Sequence, residues 1–239
     1  MTIFPSYINS HIFDSNVEQI PIRKGFGEGL VVAARENKNI VGLCADLTES
    51  TQMHLFKNEF PNRFIEVGIA EQNLASVASG LSAMGKLPYI TSYAMFSPGR
   101  NWEQIRTTIC YNDRKVIIAG SHAGISVGPD GGTHQAIEDI ALMRVVPNMT
   151  VIVPCDAIEA KKATIASAKS KQEGGTDTPV YIRLAREKTP VITTEETPGT
   201  GQSYCARNIV VKNCTVSNLM PTSTTTNTVL WQGYADGSS

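Results

Sequence analysis

Arg63-Phe64-Ile65-Glu66-Val67-Gly68-Ile69-Ala70-Glu71-Gln72-Asn73 is the stretch whose reading decides the fold. Its first five residues read as a short strand, Gly68-Ile69-Ala70 as a tight turn, and Glu71 as the start of an amphipathic helix. Leu74, Val77, Ala78, Leu81 and Met84 recur at three- and four-residue spacing, and Gly85 stops the pattern. Open α/β sheets are assembled from such strand–turn–helix units and keep their ligand chemistry in the loops after the strands. Taken alone, Glu71 is better explained as a complement to the positive helix end, an effect of about 0.3–1 kcal/mol.

The same alternation extends in both directions. Residues 24–37 read as a helix with Phe26, Leu30, Val31 and Ala34 on one face, and Ile40 to Ala45 as an apolar strand ending at Asp46. Downstream, strands are expected at 87–93, 115–120, 149–153 and 179–184. Helices are expected from Pro98 to about Tyr111, from Gln135 to Arg144 and from Ala157 to Lys169. Strands alternating with helices imply parallel pairing through helical crossovers. The expected fold is therefore α/β, in three layers, a mostly parallel sheet with helices on both faces. Residues 1–20 read as an N-terminal tail, 21–195 as the domain, and 196–239 as an irregular tail rich in Thr, Asn and Gly, with possible short strands at 209–211 and 229–231.

Composition narrows the function classes. The formal net charge of −1 gives no electrostatic case for nucleic acid or an anionic membrane surface. No apolar run approaches the roughly 20 residues of a membrane helix, and the polar start broken by Pro5 does not read as a secretory signal. Five cysteines, an odd number without CxxC spacing, argue against a disulfide framework and a zinc site. A reducing, cytoplasmic location is the expectation.

Four places carry candidate chemistry. Ser121-His122-Ala123-Gly124-Ile125-Ser126-Val127-Gly128-Pro129-Asp130-Gly131-Gly132-Thr133-His134-Gln135 holds four glycines, two histidines and an aspartate between a strand and a helix. Glycine permits close ligand approach, and His122, His134 and Asp130 supply proton transfer and hydrogen bonds to hydroxyls. The spacing matches neither a dinucleotide fingerprint nor a P-loop, and a plain turn-rich loop with Thr133 as helix cap is the competing account. Tyr93 and Phe96 sit three residues apart at a strand-to-helix turn, as a stacking surface or as core. Arg183 and Arg186 end the last strand, where a forked guanidinium suits a phosphate and a charged strand end is as good an account. Asp46-Leu47-Thr48 follows the first strand as a cap or a ligand contact.

In this order, Ala45-Asp46-Leu47-Thr48, Val67 to Asn73, the Tyr93/Phe96 turn, Ser121-His122 through Gln135, Ile137-Glu138-Asp139, Val146-Pro147-Asn148-Met149 and Arg186 resemble the pyrimidine-binding domain of transketolase, over about residues 20–195. The resemblance implies the thiamine diphosphate-binding fold and that cofactor. It implies that Glu71 hydrogen-bonds the aminopyrimidine ring nitrogen, favouring the imino tautomer that deprotonates the thiazolium C2. A carboxyl in a dry aromatic pocket, its charged form disfavoured, would suit that task. Phe96 with Tyr93 would stack on the ring and Asp46 would lie near the cofactor. His122, Asp130 and His134 would face the sugar, with Arg186 on its phosphate, for two-carbon ketol transfer between sugar phosphates of the pentose phosphate type. The family's Gly-Asp-Gly…Asn mark for Mg2+ and diphosphate is not in the sequence. The resemblance therefore implies a partner, the N-terminal subunit of a split transketolase, which would bind Mg2+, in a dimer of heterodimers. Some 40 residues stand where a third domain would follow. Two neighbouring readings stay open: 1-deoxyxylulose-5-phosphate synthase or a 2-oxoacid dehydrogenase β subunit, and a non-catalytic truncated remnant.

Overall fold

Six parallel strands form the centre of the molecule in a computed structural model that describes residues 7–197, 210–212 and 215–217. They are β2 (Ile40–Cys44), β3 (Phe64–Glu66), β4 (Leu87–Tyr93), β5 (Ile117–Ser121), β6 (Thr150–Ile152) and β7 (Val180–Arg183), in the order β3-β2-β4-β5-β7-β6. The register sets Leu43 beside Ile90 and Ile90 beside Ile118. Outside the sheet, β1 (Gln19–Pro21) pairs antiparallel with β8 (Lys188–Pro190). β9 (Val210–Lys212), which overlaps the strand expected at 209–211, pairs antiparallel with β10 (Thr215–Ser217). The strand expected at 229–231 lies outside the described residues.

Strand side chains alternate between two apolar layers. Ile40, Cys44, Tyr89, Ile117, Val180 and Ile182 point to one face with Phe26, Leu30 and Ala33 of α1 (Ile22–Glu36) and Ala160 and Ala163 of α6 (Ala157–Ala168). Leu43, Ile90, Ile118 and Tyr181 point to the other. There they meet Leu74 and Ala78 of α3 (Glu71–Ala83), Ile105 and Ile109, and Met143 of α5 (Asp139–Arg144). The central strands β2, β4 and β5 are thus buried along their whole length on both faces, which is why their runs are largely apolar, whereas the edge strand β3 is partly exposed. α1 and α6 lie very close together. A Cβ at Gly25 would stand 1.9 Å from the Ala157 carbonyl oxygen, so only glycine fits that crossing. The buried Cys44 and Cys110 thiols are pushed up to about 11 and about 12 by burial, which makes them packing residues rather than nucleophiles.

Two expected helices start later than their periodicity suggests. Pro98 does not open a helix; residues 94–101 form turns, and the helix begins as α4 (Trp102–Gln104) and continues with i→i+5 bonding over Ile105–Cys110. Asn101 Nδ2 explains the delay, since it donates to the Glu71 carbonyl at 2.9 Å and to Ser97 Oγ at 3.2 Å and so fastens the turn to the neighbouring helix. The helix expected from Gln135 begins at Asp139. Ala136 is taken up by a bridge to Ala123, with the Gly124 N–H donating to the Ala136 carbonyl at 2.7 Å. Thr133 is not its cap; its hydroxyl pairs with His134 Nδ1. A short helix, α2 (His54–Glu59), was not evident in the sequence pattern.

Candidate active site

The strand order reverses direction between β2 and β4, since β3 lies on one side of β2 and β4 on the other. A crevice outside the carboxyl ends of strands at such a switch point is where open α/β sheets bind ligands. Asp46 follows β2, Glu71 follows β3, Tyr93 ends β4, and the Gly-rich loop follows β5. The topology therefore gathers at one end of the sheet residues that are far apart in the chain.

Asp46 is exposed, with a left-handed backbone at φ 57°. Glu66 holds it there. Glu66 Oε1 accepts from the Asp46 N–H at 2.8 Å and the Gly68 N–H at 3.0 Å, while Oε2 accepts from Thr48 Oγ1 at 3.0 Å. One carboxylate thus ties the loop after β2 to the turn that leads to Glu71.

Glu71 itself is only 1% exposed, at the first turn of α3. The resemblance pictured a dry aromatic surround; the structure gives the carboxylate a cation instead. Arg100 Nη1 donates to Oε2 at 2.7 Å, and Ser92 Oγ approaches Oε1 at 3.4 Å. The Arg100 guanidinium also lies 4.8 Å from the centre of the Phe96 ring. Phe96 is half-buried beside this carboxylate system. A buried carboxylate with one weakly partnered oxygen next to an aromatic face fits an aminopyrimidine in its imino tautomer, whose ring nitrogen then offers an N–H donor at the edge of a flat ring.

Tyr93 lies beside Phe96, the two rings within 13° of parallel with centroids 6.4 Å apart, and it also stacks on His122 with centroids 3.9 Å apart. His122 is buried, with a left-handed φ of 56°, and its Nδ1 pairs with Ser121 Oγ at 2.9 Å. Burial first, and then the charges of Arg23, Arg186 and His134, lower its pKa to about 3. His134 meets the edge of Phe96 at 5.2 Å, and Asp130 is exposed in the turn 128–130. Arg186 pairs with Glu187 and lies against Gly128, where a Cβ would stand 2.7 Å from its Nη1.

Arg23, Arg100 and Glu66 were not singled out by the sequence. Arg23 lies at the start of α1 and donates to the Arg186 carbonyl. Its Nε is buried with no hydrogen-bond partner among the described residues. An orphaned guanidinium N–H beside a second arginine, itself paired with Glu187, forms a recess next to the neutral His122 that is suited to an anion. Arg183 is not part of it. Its Nε donates to the buried Asp139, which also accepts from the Tyr181 hydroxyl at 2.7 Å. No cluster of three or more His, Cys, Asp or Glu suited to a metal ion occurs among the described residues.

The transketolase pyrimidine-binding domain family model matches residues 18–191. The putative transketolase C-terminal section of Methanocaldococcus jannaschii is 44% identical over 181 residues, covering 75% of this chain and 55% of that protein. A 6-deoxy-6-sulfo-D-fructose transketolase subunit from a Clostridium species is 36% identical over 174 residues, covering 73% of this chain and 52% of the relative. A solved structure described as a split gene transketolase, inactive β4 tetramer, superposes with a TM-score of 0.64 at 45% identity, over 74% of this chain and 55% of that one. The chain spans about half the length of these relatives. Thiamine diphosphate is the cofactor of this family in general, and the chain belongs to the transketolase pyrimidine-binding domain family.

Proposed function

We propose that this chain supplies the pyrimidine half of a thiamine diphosphate-dependent ketol transferase acting on sugar phosphates. The diphosphate half and its Mg2+ belong to a separate N-terminal subunit, and the two form a dimer of heterodimers. The observation that carries the reading is Glu71, a buried carboxylate beside Phe96 at the switch point of the sheet. The C-terminal-section name of one relative and the inactive β-only tetramer of another support the division into two subunits.

The bound cofactor supplies the electron sink for cleaving a bond beside a carbonyl. Glu71 holds the pyrimidine ring nitrogen, Phe96 lies against its face, and Asp46 stands beside the cofactor. His122 stays neutral at working pH, and with Nδ1 engaged by Ser121 its Nε2 is the atom left to exchange a hydrogen bond with a sugar hydroxyl. Tyr93 keeps that imidazole plane fixed. His134 and Asp130 line the outer side of the sugar path. Arg186 and Arg23 grip the terminal phosphate, and their charges add to burial, the larger cause, in keeping His122 neutral.

Calorimetric titration of thiamine diphosphate and Mg2+ into the chain, alone and mixed with the diphosphate-domain subunit, tests the reading. Binding and ketol transfer are expected only in the mixture. Glu71→Gln should keep the fold and lose roughly 100-fold or more of the turnover, the scale of a lost proton-transfer group; full activity in that variant would overturn the assignment. Arg186→Ala and Arg23→Ala should weaken phosphorylated sugars more than unphosphorylated ones, and equal losses on both would make these arginines structural. Binding in neither sample, with the chain folded, would favour a pairing domain without turnover.

A further inference from the structure

We infer that Arg100 is the positioning residue of Glu71: it commits Oε2 of the buried carboxylate to itself and leaves Oε1 as the atom that receives the pyrimidine ring. The inference rests on the reading of Glu71 given above. Four observations converge on it. Glu71 is 1% exposed, and a carboxylate removed from water needs a charged or hydrogen-bonding partner to stay ionised. Arg100 provides one, in a 2.7 Å charge-assisted hydrogen bond to Oε2. Oε1 is left with the Ser92 hydroxyl at 3.4 Å, the outer limit of a hydrogen bond, so one oxygen is satisfied and the other has capacity to spare. The same guanidinium lies over Phe96 at 4.8 Å, so a single planar cation braces both the carboxylate and the aromatic face proposed to hold the ring.

The turn that carries Arg100 is built for this contact. The Arg100 N–H donates to the Phe96 carbonyl at 2.9 Å, and Asn101 Nδ2 bonds the Glu71 carbonyl at 2.9 Å. Backbone and side chain of Glu71 are therefore held by two adjacent residues, Arg100 and Asn101. A lysine would bring the charge as a compact ammonium, without the extended guanidinium that bonds the carboxylate through one N–H while lying 4.8 Å from the Phe96 ring centre.

The test reads cofactor affinity rather than turnover. Thiamine diphosphate with Mg2+ is titrated into the full chain mixed with the diphosphate-domain subunit, for Arg100→Ala, Arg100→Lys, Glu71→Gln and the Arg100→Ala/Glu71→Gln double variant. Magnesium diphosphate alone serves as the probe that does not engage the pyrimidine side. Arg100→Ala should weaken thiamine diphosphate roughly 10- to 100-fold, the scale of a hydrogen bond to a charged group, and leave magnesium diphosphate unchanged. Arg100→Lys should recover only part of the affinity, and added guanidinium ion should restore Arg100→Ala toward wild type. In the Glu71→Gln background the arginine substitution should cost little more, because the two residues act as one unit. Equal losses in both backgrounds, or a parallel loss for magnesium diphosphate, would overturn the inference. Wild-type affinity in Glu71→Gln would instead defeat the reading of Glu71 on which it stands. Should Arg100→Ala fail to fold, as read by its melting transition, the lysine variant decides: full affinity there would also overturn it.

Discussion

Burial, and after it the charges of Arg23, Arg186 and His134, lower the His122 imidazole from its ordinary 6.5 to about 3. The sign of its effect on stability follows. As pH falls below 6.5 the unfolded chain takes up a proton that the native His122 refuses, so this residue costs stability through the window from about 6.5 to about 3. The slope is about 1.4 kcal/mol per pH unit for one proton. Denaturant unfolding at pH 7 and pH 5 should show a smaller acid loss in His122→Asn than in the wild type, and nitrogen-detected NMR should find the native ring neutral at both. Protonation of His122 near pH 6 would contradict its burial beside Arg23 and Arg186. The two histidines were legible in the sequence because they share one Gly-rich loop. Arg23 and Arg100 were not, because each stands alone in its segment and gains its meaning from a partner 163 or 29 residues away. Tyr93 shows both sides of this: its spacing to Phe96 suggests the near-parallel pair that the structure has, while its closer stacking on His122 joins two segments that no local spacing connects.

At the N-terminus of α6 two carboxylates behave in opposite ways. Asp156 is the N-cap, fully buried, and its oxygens accept from the N–H groups of Glu159, Ile192 and Thr193 and from the Thr193 hydroxyl. It thereby ties the strand-like segment after β8 to the helix. Glu159 accepts from the Cys155 N–H at 2.7 Å, but its other oxygen is buried without a partner among the described residues, and burial raises its pKa to about 7. An acid with a raised native pKa loses its proton first in the unfolded chain, so stability falls as pH rises from about 4.5 to about 7. Glu159→Gln should remove that fall, gaining on the wild type by an amount on the order of 3 kcal/mol between pH 4.5 and 8. Urea unfolding at the two pH values measures it, and an unchanged difference would place Glu159 in water. Asp156→Ala, which strips a cap and several further hydrogen bonds, should cost about 2–4 kcal/mol at any pH near neutral. Elements of this kind were legible where local periodicity and tertiary packing agree, as in α1, α3 and α6. They were misread at 98–101 and 135–138, where Asn101 and the Ala123–Ala136 bridge use the backbone for tertiary contacts and postpone the helix. No sequence period records such long-range bonds.

At the scale of the whole molecule, exposed large apolar side chains stand at both ends of the sheet: Met84, Tyr111 and Val145 close helices at the amino end, and three isoleucines stand at the carboxyl end. Ile69 lies in the turn before α3, and Ile125 and Ile137 lie in the Gly-rich loop and the segment bridged to it. Each is about three-quarters exposed: 74%, 73% and 75%. All three follow carboxyl ends of strands, on the side that carries Asp46, Glu71 and His122. Exposed apolar residues are ordinary at either end, so it is the position of these three around the candidate crevice, and not their number, that makes them candidates for a covered surface. A cofactor with its pyrimidine on this chain and its diphosphate on another requires the two subunits to meet at this rim, and central apolar contacts supply most of the energy of such interfaces. Ile69→Asp and Ile125→Asp should therefore weaken binding to the diphosphate-domain subunit by at least about tenfold while leaving the chain's own melting transition in place. Met84 is the internal control. It is 81% exposed, but it ends α3 at the amino end of the sheet, away from the crevice. Met84→Asp should leave subunit affinity unchanged in sedimentation or calorimetry. Equal losses from all three variants would point to general aggregation behaviour, and losses from Met84→Asp alone would move the interface to the opposite end and break the link between the crevice and the partner.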